Sequence, residues 1–193
     1  MSAEYLHVVE RLDRADSHLV SINDIRVGLI LAARRRPDVE VALFLADHDL
    51  RAHAAREGRT SPPYIPDALV ELVLPGGARQ GLVVEYDAGT EHAKQFSPKV
   101  ETLRVLFERN LPVWGLHLWR PVVVAETKAR LRALSSMIVA GGGGDLWLAA
   151  LQAPFVADPF GPVFATAAAV AATPPALTPT FGGRLVPRPT GVR

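Results

Sequence analysis

Asp67, Glu85, Asp87 and Lys99 have the types and spacing of a centre that cuts phosphodiesters with the help of a metal ion. The stretch "GLVVEYD", residues 81–87, reads as a buried strand through Leu82, Val83 and Val84, yet carries two carboxylates. Side chains alternate across a strand, so Glu85 and Asp87 share one face. Carboxylates held side by side repel each other and resist leaving water. They make sense together when a divalent cation or a basic partner stands between them. Mg2+ and Mn2+ prefer oxygen ligands, and such an ion activates water and neutralises charge on phosphorus. A neighbouring lysine adds positive charge where the transition state is negative.

These side chains need elements to hold them. Residues 68–74 read as a strand, Pro75-Gly76-Gly77 as a turn, and residues 81–87 as a second strand, which together make a β-hairpin. The start of one strand then lies beside the end of the other, so Asp67 meets Glu85 and Asp87. "DSHLVSINDIRVGLILAARRRP" predicts a helix capped at Asp16 or Ser17 and stopped at Pro37. Asp24 lies mid-helix, where aspartate is disfavoured, and is a further candidate metal ligand. "SPKVETLRVLFERN" predicts a helix with Ser97 as N-cap, Pro98 at its first position and Asn110 as its stop. Lys99 then sits in the first turn, with Lys94 as the second candidate for the lysine role. "TKARLRALSSMIVA" is a basic amphipathic helix, whose Lys128, Arg130 and Arg132 are candidate contacts for DNA phosphates.

"VEVALFLAD", "WRPVVVAE" and "DLWLAAL" read as further strands, and "HDLRAHAAREGRTSPPY" as mostly loop. The expected architecture is α/β, a mixed sheet sandwiched by helices. A domain over residues 1–153 is followed by a proline-rich, partly irregular extension over 154–193, which holds eight of the sixteen prolines. After Asp158 it has no acid, only Arg184, Arg188 and Arg193, and it is a candidate contact for a protein partner or a second copy.

Composition narrows the function. With 193 residues and a net charge of +1, nothing global marks a nucleic-acid binder, so any basic surface is local. The absence of cysteine excludes disulfide frameworks and thiol catalysis. No signal peptide and no membrane span are expected, and the chain reads as cytoplasmic. No Walker A, G-x-S-x-G or H-x-x-x-H pattern is present, which leaves nucleotide-loop, serine-hydrolase and zincin chemistry without support. His18 reads as a packing or capping residue, and Trp114, Trp119 and Trp147 as core.

"IPDALVEL" followed by "LVVEYD" resembles the Pro-Asp…(Asp/Glu)-x-Lys motif of restriction-endonuclease-like nucleases. "SHLVSINDIRVGL", "IPDALV", "VVEYDAGTE", "SPKVETL" and "VVVAETKARLRAL", in this order over residues 15–150, resemble the replication-relaxation family of plasmid and mobile-element proteins. The resemblance implies a nuclease-like core and work on DNA in plasmid replication and relaxation of supercoils. Members commonly carry a winged-helix segment ahead of that core; with about fifteen residues before the first expected helix, the expectation here is the nuclease-like core alone. The motif's lysine position is Asp87 in this chain, so the lysine must come from elsewhere. Two functions follow as expectations. One is a Mg2+- or Mn2+-dependent nuclease, with Asp67, Glu85, Asp87 and Asp24 on the metal and Lys99 stabilising charge. The other is a catalytically inactive module of the same fold that binds DNA or a protein partner.

Overall fold

Six strands line up side by side in the order in which the chain makes them, β1-β2-β3-β4-β5-β6. In this computed structural model the chain is described over residues 3–58, 64–87, 89, 93–173 and 183. The elements are α1 (Ala3–Arg34), β1 (Glu40–Ala46), α2 (Asp47–Arg56), β2 (Ala68–Val73), β3 (Arg79–Asp87), α3 (Ala93–Glu108) and β4 (Trp119–Ala125). They continue with α4 (Lys128–Ala140), β5 (Leu148–Leu151), α5 (Gln152–Ala157), β6 (Ala165–Thr166) and α6 (Ala167–Ala172). β1, β2 and β3 form an antiparallel meander; β3, β4 and β5 are parallel, and β6 returns antiparallel. The expected mixed α/β sheet is therefore present.

Both faces of the sheet are covered, which is why the middle strands read as continuous apolar runs. On one face Ile22, Ile25 and Leu29 of α1 pack with Phe155 over Val70, Leu82, Val84, Val122 and Val124. On the other, Phe96, Val100 and Leu103 of α3 and Leu131, Leu134 and Ile138 of α4 cover Leu69, Val83 and Val123. The period-2 alternation thus sends Val83, Glu85 and Asp87 toward α3 and α4, and Leu82, Val84 and Tyr86 toward α1. The hairpin turn closes where expected, with Gly76 and Gly77 at φ 83° and 81°, a left-handed backbone that glycine adopts without strain.

Several helix limits differ from the sequence reading. α1 already runs through Asp16 and Ser17, so neither caps it. Residues 47–56 are a full helix rather than loop, started by Asp49, whose carboxylate accepts from the Ala46 N–H at 3.1 Å, and anchored by buried Leu50 and Ala54. α3 begins at Ala93, before Ser97, and Pro98 lies inside it. Fully buried Phe96, 5.8 Å from the Trp147 ring, holds that earlier turn and outweighs the N–H that proline lacks.

Packing also runs past Pro154. Phe155, Phe160, Phe164, Ala167 and Val170 are buried in the same two layers, so the folded unit includes residues placed in the extension by composition. Residues 174–182 and 184–193, the rest of that extension, lie outside the described residues, as does Glu91. Among the described residues no helix is long and apolar enough to cross a membrane.

Candidate functional site

The parallel strands β3, β4 and β5 end together, with Asp87 opposite Ala125 and Ala125 opposite Leu151. The carboxyl edge of parallel strands is where α/β folds leave a crevice between strand ends and following helices. The antiparallel register of β2 with β3, Ala68 opposite Val84, carries one step further to bring Asp67 beside Glu85. Three acids named from sequence therefore gather at one end of the sheet.

Glu85 is 1% exposed, and both its oxygens are engaged. Oε1 accepts a short hydrogen bond from the Tyr64 hydroxyl, and Oε2 accepts from Lys99 Nζ at 2.6 Å. The earlier start of α3 places Lys99 in its second turn, above Glu85, with its side chain about a quarter exposed. Burial, reinforced by the nearby Asp67 charge, pushes the Glu85 carboxyl up to about 8, while Lys99 and Tyr64 pull the other way.

Asp67 faces the α1 side. Its Oδ2 accepts from the Tyr86 backbone N–H at 2.8 Å, and its Oδ1 lies 3.4 Å from His18 Nε2. That contact raises the His18 pKa against the effect of burial. Asp87 is buried and bound to Arg130 through both Nε and the terminal guanidinium nitrogen, while its Oδ1 accepts from the Gly89 N–H at 2.7 Å.

A second polar group lies on the α1 face of the same edge. The Tyr86 hydroxyl is 2.8 Å from Glu126 Oε1 and 3.1 Å from the Gln152 side-chain amide, and it also bonds Ser21. Glu126 directly follows β4 and Gln152 directly follows β5. Neither residue stands out in sequence, because only the parallel register makes strand ends neighbours. Tyr64 was missed because its bond to Glu85 spans 21 residues of chain.

A family model described as replication-relaxation matches residues 6–130. The chain belongs to the replication-relaxation family. No curated protein and no solved structure matches it. The matched stretch of this replication-relaxation protein runs from α1 to the first turn of α4, so it contains Asp67, Glu85, Asp87, Lys99 and Arg130. Gln152, α5 and α6 lie beyond it, in the same packed core.

The remaining candidates are placed differently. Asp24 is exposed on α1, one residue from buried Ile25, and stands on the outward face of the helix. Lys94 is exposed in the first turn of α3. Arg130 is committed to Asp87, and Arg132 Nε donates to the Thr173 carbonyl at 3.1 Å, while Lys128 is exposed. Among the described residues no three histidine, aspartate or glutamate side chains converge on one point as metal ligands would.

Proposed function

We propose that this replication-relaxation protein is a cytoplasmic DNA-processing protein whose nuclease-like centre is Asp67, Glu85 and Lys99. One observation carries the reading. Lys99 reaches from α3 to Glu85 at 2.6 Å, at the strand end where Asp67 stands across the hairpin. The lysine that the strand lacks at Asp87 is thus supplied by the following helix. The core is then of the restriction-endonuclease-like kind, with its acid pair on the hairpin.

The donor set fits a hard cation only in part. Asp67 and Glu85 are oxygen donors at the same end of the sheet, and Mg2+ is commonly held by one or two carboxylates, with water and substrate phosphate completing its shell. A cation there would have to displace Lys99 from Glu85 and His18 from Asp67. Asp87 does not fit, because its charge is taken by Arg130 and its second oxygen by Gly89. Asp24, exposed on α1, is no part of that pair. When bound, Mg2+ or Mn2+ would supply Lewis-acid stabilisation of a phosphoryl oxygen and a more acidic water. The chain's own residues do the rest. Tyr64 fixes the Glu85 rotamer, the Tyr86 N–H fixes Asp67, and Lys99 brings positive charge to the place where a cleaved phosphate would gain negative charge.

A second reading has its own observation. Both acids of β3 are already neutralised by partners from α3 and α4, which is the arrangement of a folded module that binds DNA or protein without cutting. Incubation with supercoiled plasmid separates the two. Nicking or relaxation that needs Mn2+ or Mg2+, stops with EDTA and is lost in Glu85→Gln and Lys99→Met supports the nuclease-like centre. Plasmid binding without cleavage in the wild-type protein moves the assignment to the inactive module.

A further inference from the structure

The three tryptophans are not equivalent. Trp119 and Trp147 are buried at 4% and 0%, as core residues should be. Trp114 is only half-buried and lines a groove of about 200 Å3 with Leu45, Asp49, His53 and Arg56. We propose that this groove, between α2 and the turn at Val113–Leu116, is a stacking site for one unpaired base of single-stranded DNA, with Trp114 as its platform. The proposal rests on the DNA-processing reading above and says which form of DNA is held.

The turn's backbone is the first support. Val113 N–H donates to the Leu116 carbonyl at 3.0 Å and Leu116 N–H returns the bond at 2.9 Å, closing a two-residue turn. Trp114 and Gly115 have φ of 49° and 87°. Two positive φ angles define the type I′ turn, which favours asparagine, aspartate and glycine. A bulky residue in that backbone is an outlier, strained by about 1–3 kcal/mol, and such strain concentrates at functional positions. Packing alone would be served by an aromatic on ordinary backbone. Here the indole is held by its own N–H, which donates to the Tyr64 carbonyl at 2.9 Å, and by the His53 ring 6.2 Å away.

The chemistry of the groove supplies the ligand class. Stacking on an indole is available to every base, and a nearby cation holds the phosphate that follows it. Arg56 is exposed on α2 beside the indole and is the cation of the groove, while the His53 Nε2 lies 3.2 Å from Glu57 Oε1. Asp49 is the acid of the groove, and its carboxylate is already occupied by the Ala46 N–H at 3.1 Å and by His48 at 3.4 Å. A base inside a duplex is stacked on its neighbours and has no face to offer, so the occupant is unpaired.

Continuity with the acid centre is the third support. Tyr64 connects the two at its two ends, since its carbonyl holds Trp114 and its hydroxyl holds Glu85. The first residue of α2, Asp47, donates its N–H to the Asp67 carbonyl at 3.1 Å. A strand whose phosphate lies at Asp67 and Glu85 would run along α2 and place a neighbouring base on Trp114.

The test is binding of a labelled oligothymidylate of about 20 nucleotides, and of a duplex of the same length, by fluorescence anisotropy. Trp114→Asn suits the turn's backbone and removes the platform, and Trp114→Phe keeps a ring but loses the N–H. The expected result is a loss of about ten-fold or more for the single strand in Trp114→Asn, near-wild-type affinity in Trp114→Phe, and little change for the duplex. A smaller loss, an equal loss in both variants, or a wild-type protein that does not bind the single strand would overturn the proposal. If Trp114→Asn does not fold, the wild-type emission decides: the single strand must quench it, and Trp114→Phe must not respond. Plasmid nicking in parallel keeps the two ideas apart. Trp114-dependent binding without cleavage leaves the base site standing and removes the nuclease, and cleavage without any Trp114 effect does the reverse.

Discussion

The environment of Glu85 ties the stability of the fold to pH. Its carboxyl titrates near 4.5 in an unfolded chain and is pushed up to about 8 when folded, chiefly by burial. Between those values the folded state keeps a proton that the unfolded state releases, so stability falls as pH rises. His18, raised by its bond to Asp67, works in the same direction, because its contribution is complete below 6.5 and is lost above it. The melting temperature is therefore expected to fall by on the order of 5 °C from about pH 5 to about pH 8, and Glu85→Gln should flatten that slope. A rise over the interval would refute the burial cause. Asp87 and Arg130 make a different test. Removing one partner of a fully buried pair costs roughly 3–5 kcal/mol, and less here because the Arg130 side chain is about a fifth exposed. In a double-mutant cycle by urea denaturation, Arg130→Met should destabilise more than Asp87→Asn with Arg130→Met together.

At the scale of elements, α1 and α5 cross closely at Gly28. A Cβ on Gly28 would stand 2.6 Å from the Val156 carbonyl oxygen, a backbone atom that cannot rotate away. Gly28→Ala should destabilise by about 1–3 kcal/mol through overpacking, measured by thermal melting, although alanine is the better helix former. Propensity and packing give opposite signs here, which is why the position is informative. The same contest decided what could be read from sequence. The hairpin was legible because alternation and a Pro-Gly-Gly turn agree, and with it came the placing of Asp67 and Glu85 at one end of the hairpin. α2 was not, since "HDLRAHAAR" has few apolar residues and only Leu50 and Ala54 reach the core. The start of α3 was misplaced because Ser97-Pro98 is a strong local start signal, overridden by the burial of Phe96. Lys99 was named as the lysine, but its seat over Glu85 depends on that earlier start. Tyr64, Glu126 and Gln152 had no local signal at all, because strand pairing across long stretches of chain is what brings them in.

At the scale of the whole molecule, core packing runs further along the chain than composition indicates. A chain cut after Ala153 would lose Phe155, Phe160, Phe164 and Val170 from both layers and is expected to melt without cooperativity. A chain cut after Thr173 keeps them, loses only the Phe164–Gly183 backbone pair among the described contacts, and should melt as one transition, which calorimetry can compare directly. The proline count misled because Pro154, Pro159 and Pro162 sit at the ends and turns of short packed elements, where proline is tolerated. Every strand of the sheet pairs with the one made just before it, so assembly can proceed from the first strand to the last without prying open a finished pair. The carboxylates of β3 come early in that sequence, and their cations come late, on α3 and α4. Asp87 cannot leave water until Arg130 arrives, and Glu85 leaves it only by keeping its proton or by meeting Lys99. Pulsed hydrogen exchange during refolding should therefore find the middle of β2 and β3 protected before residues 85–87. The end of the sheet that carries the acids is the last part of this core to dry.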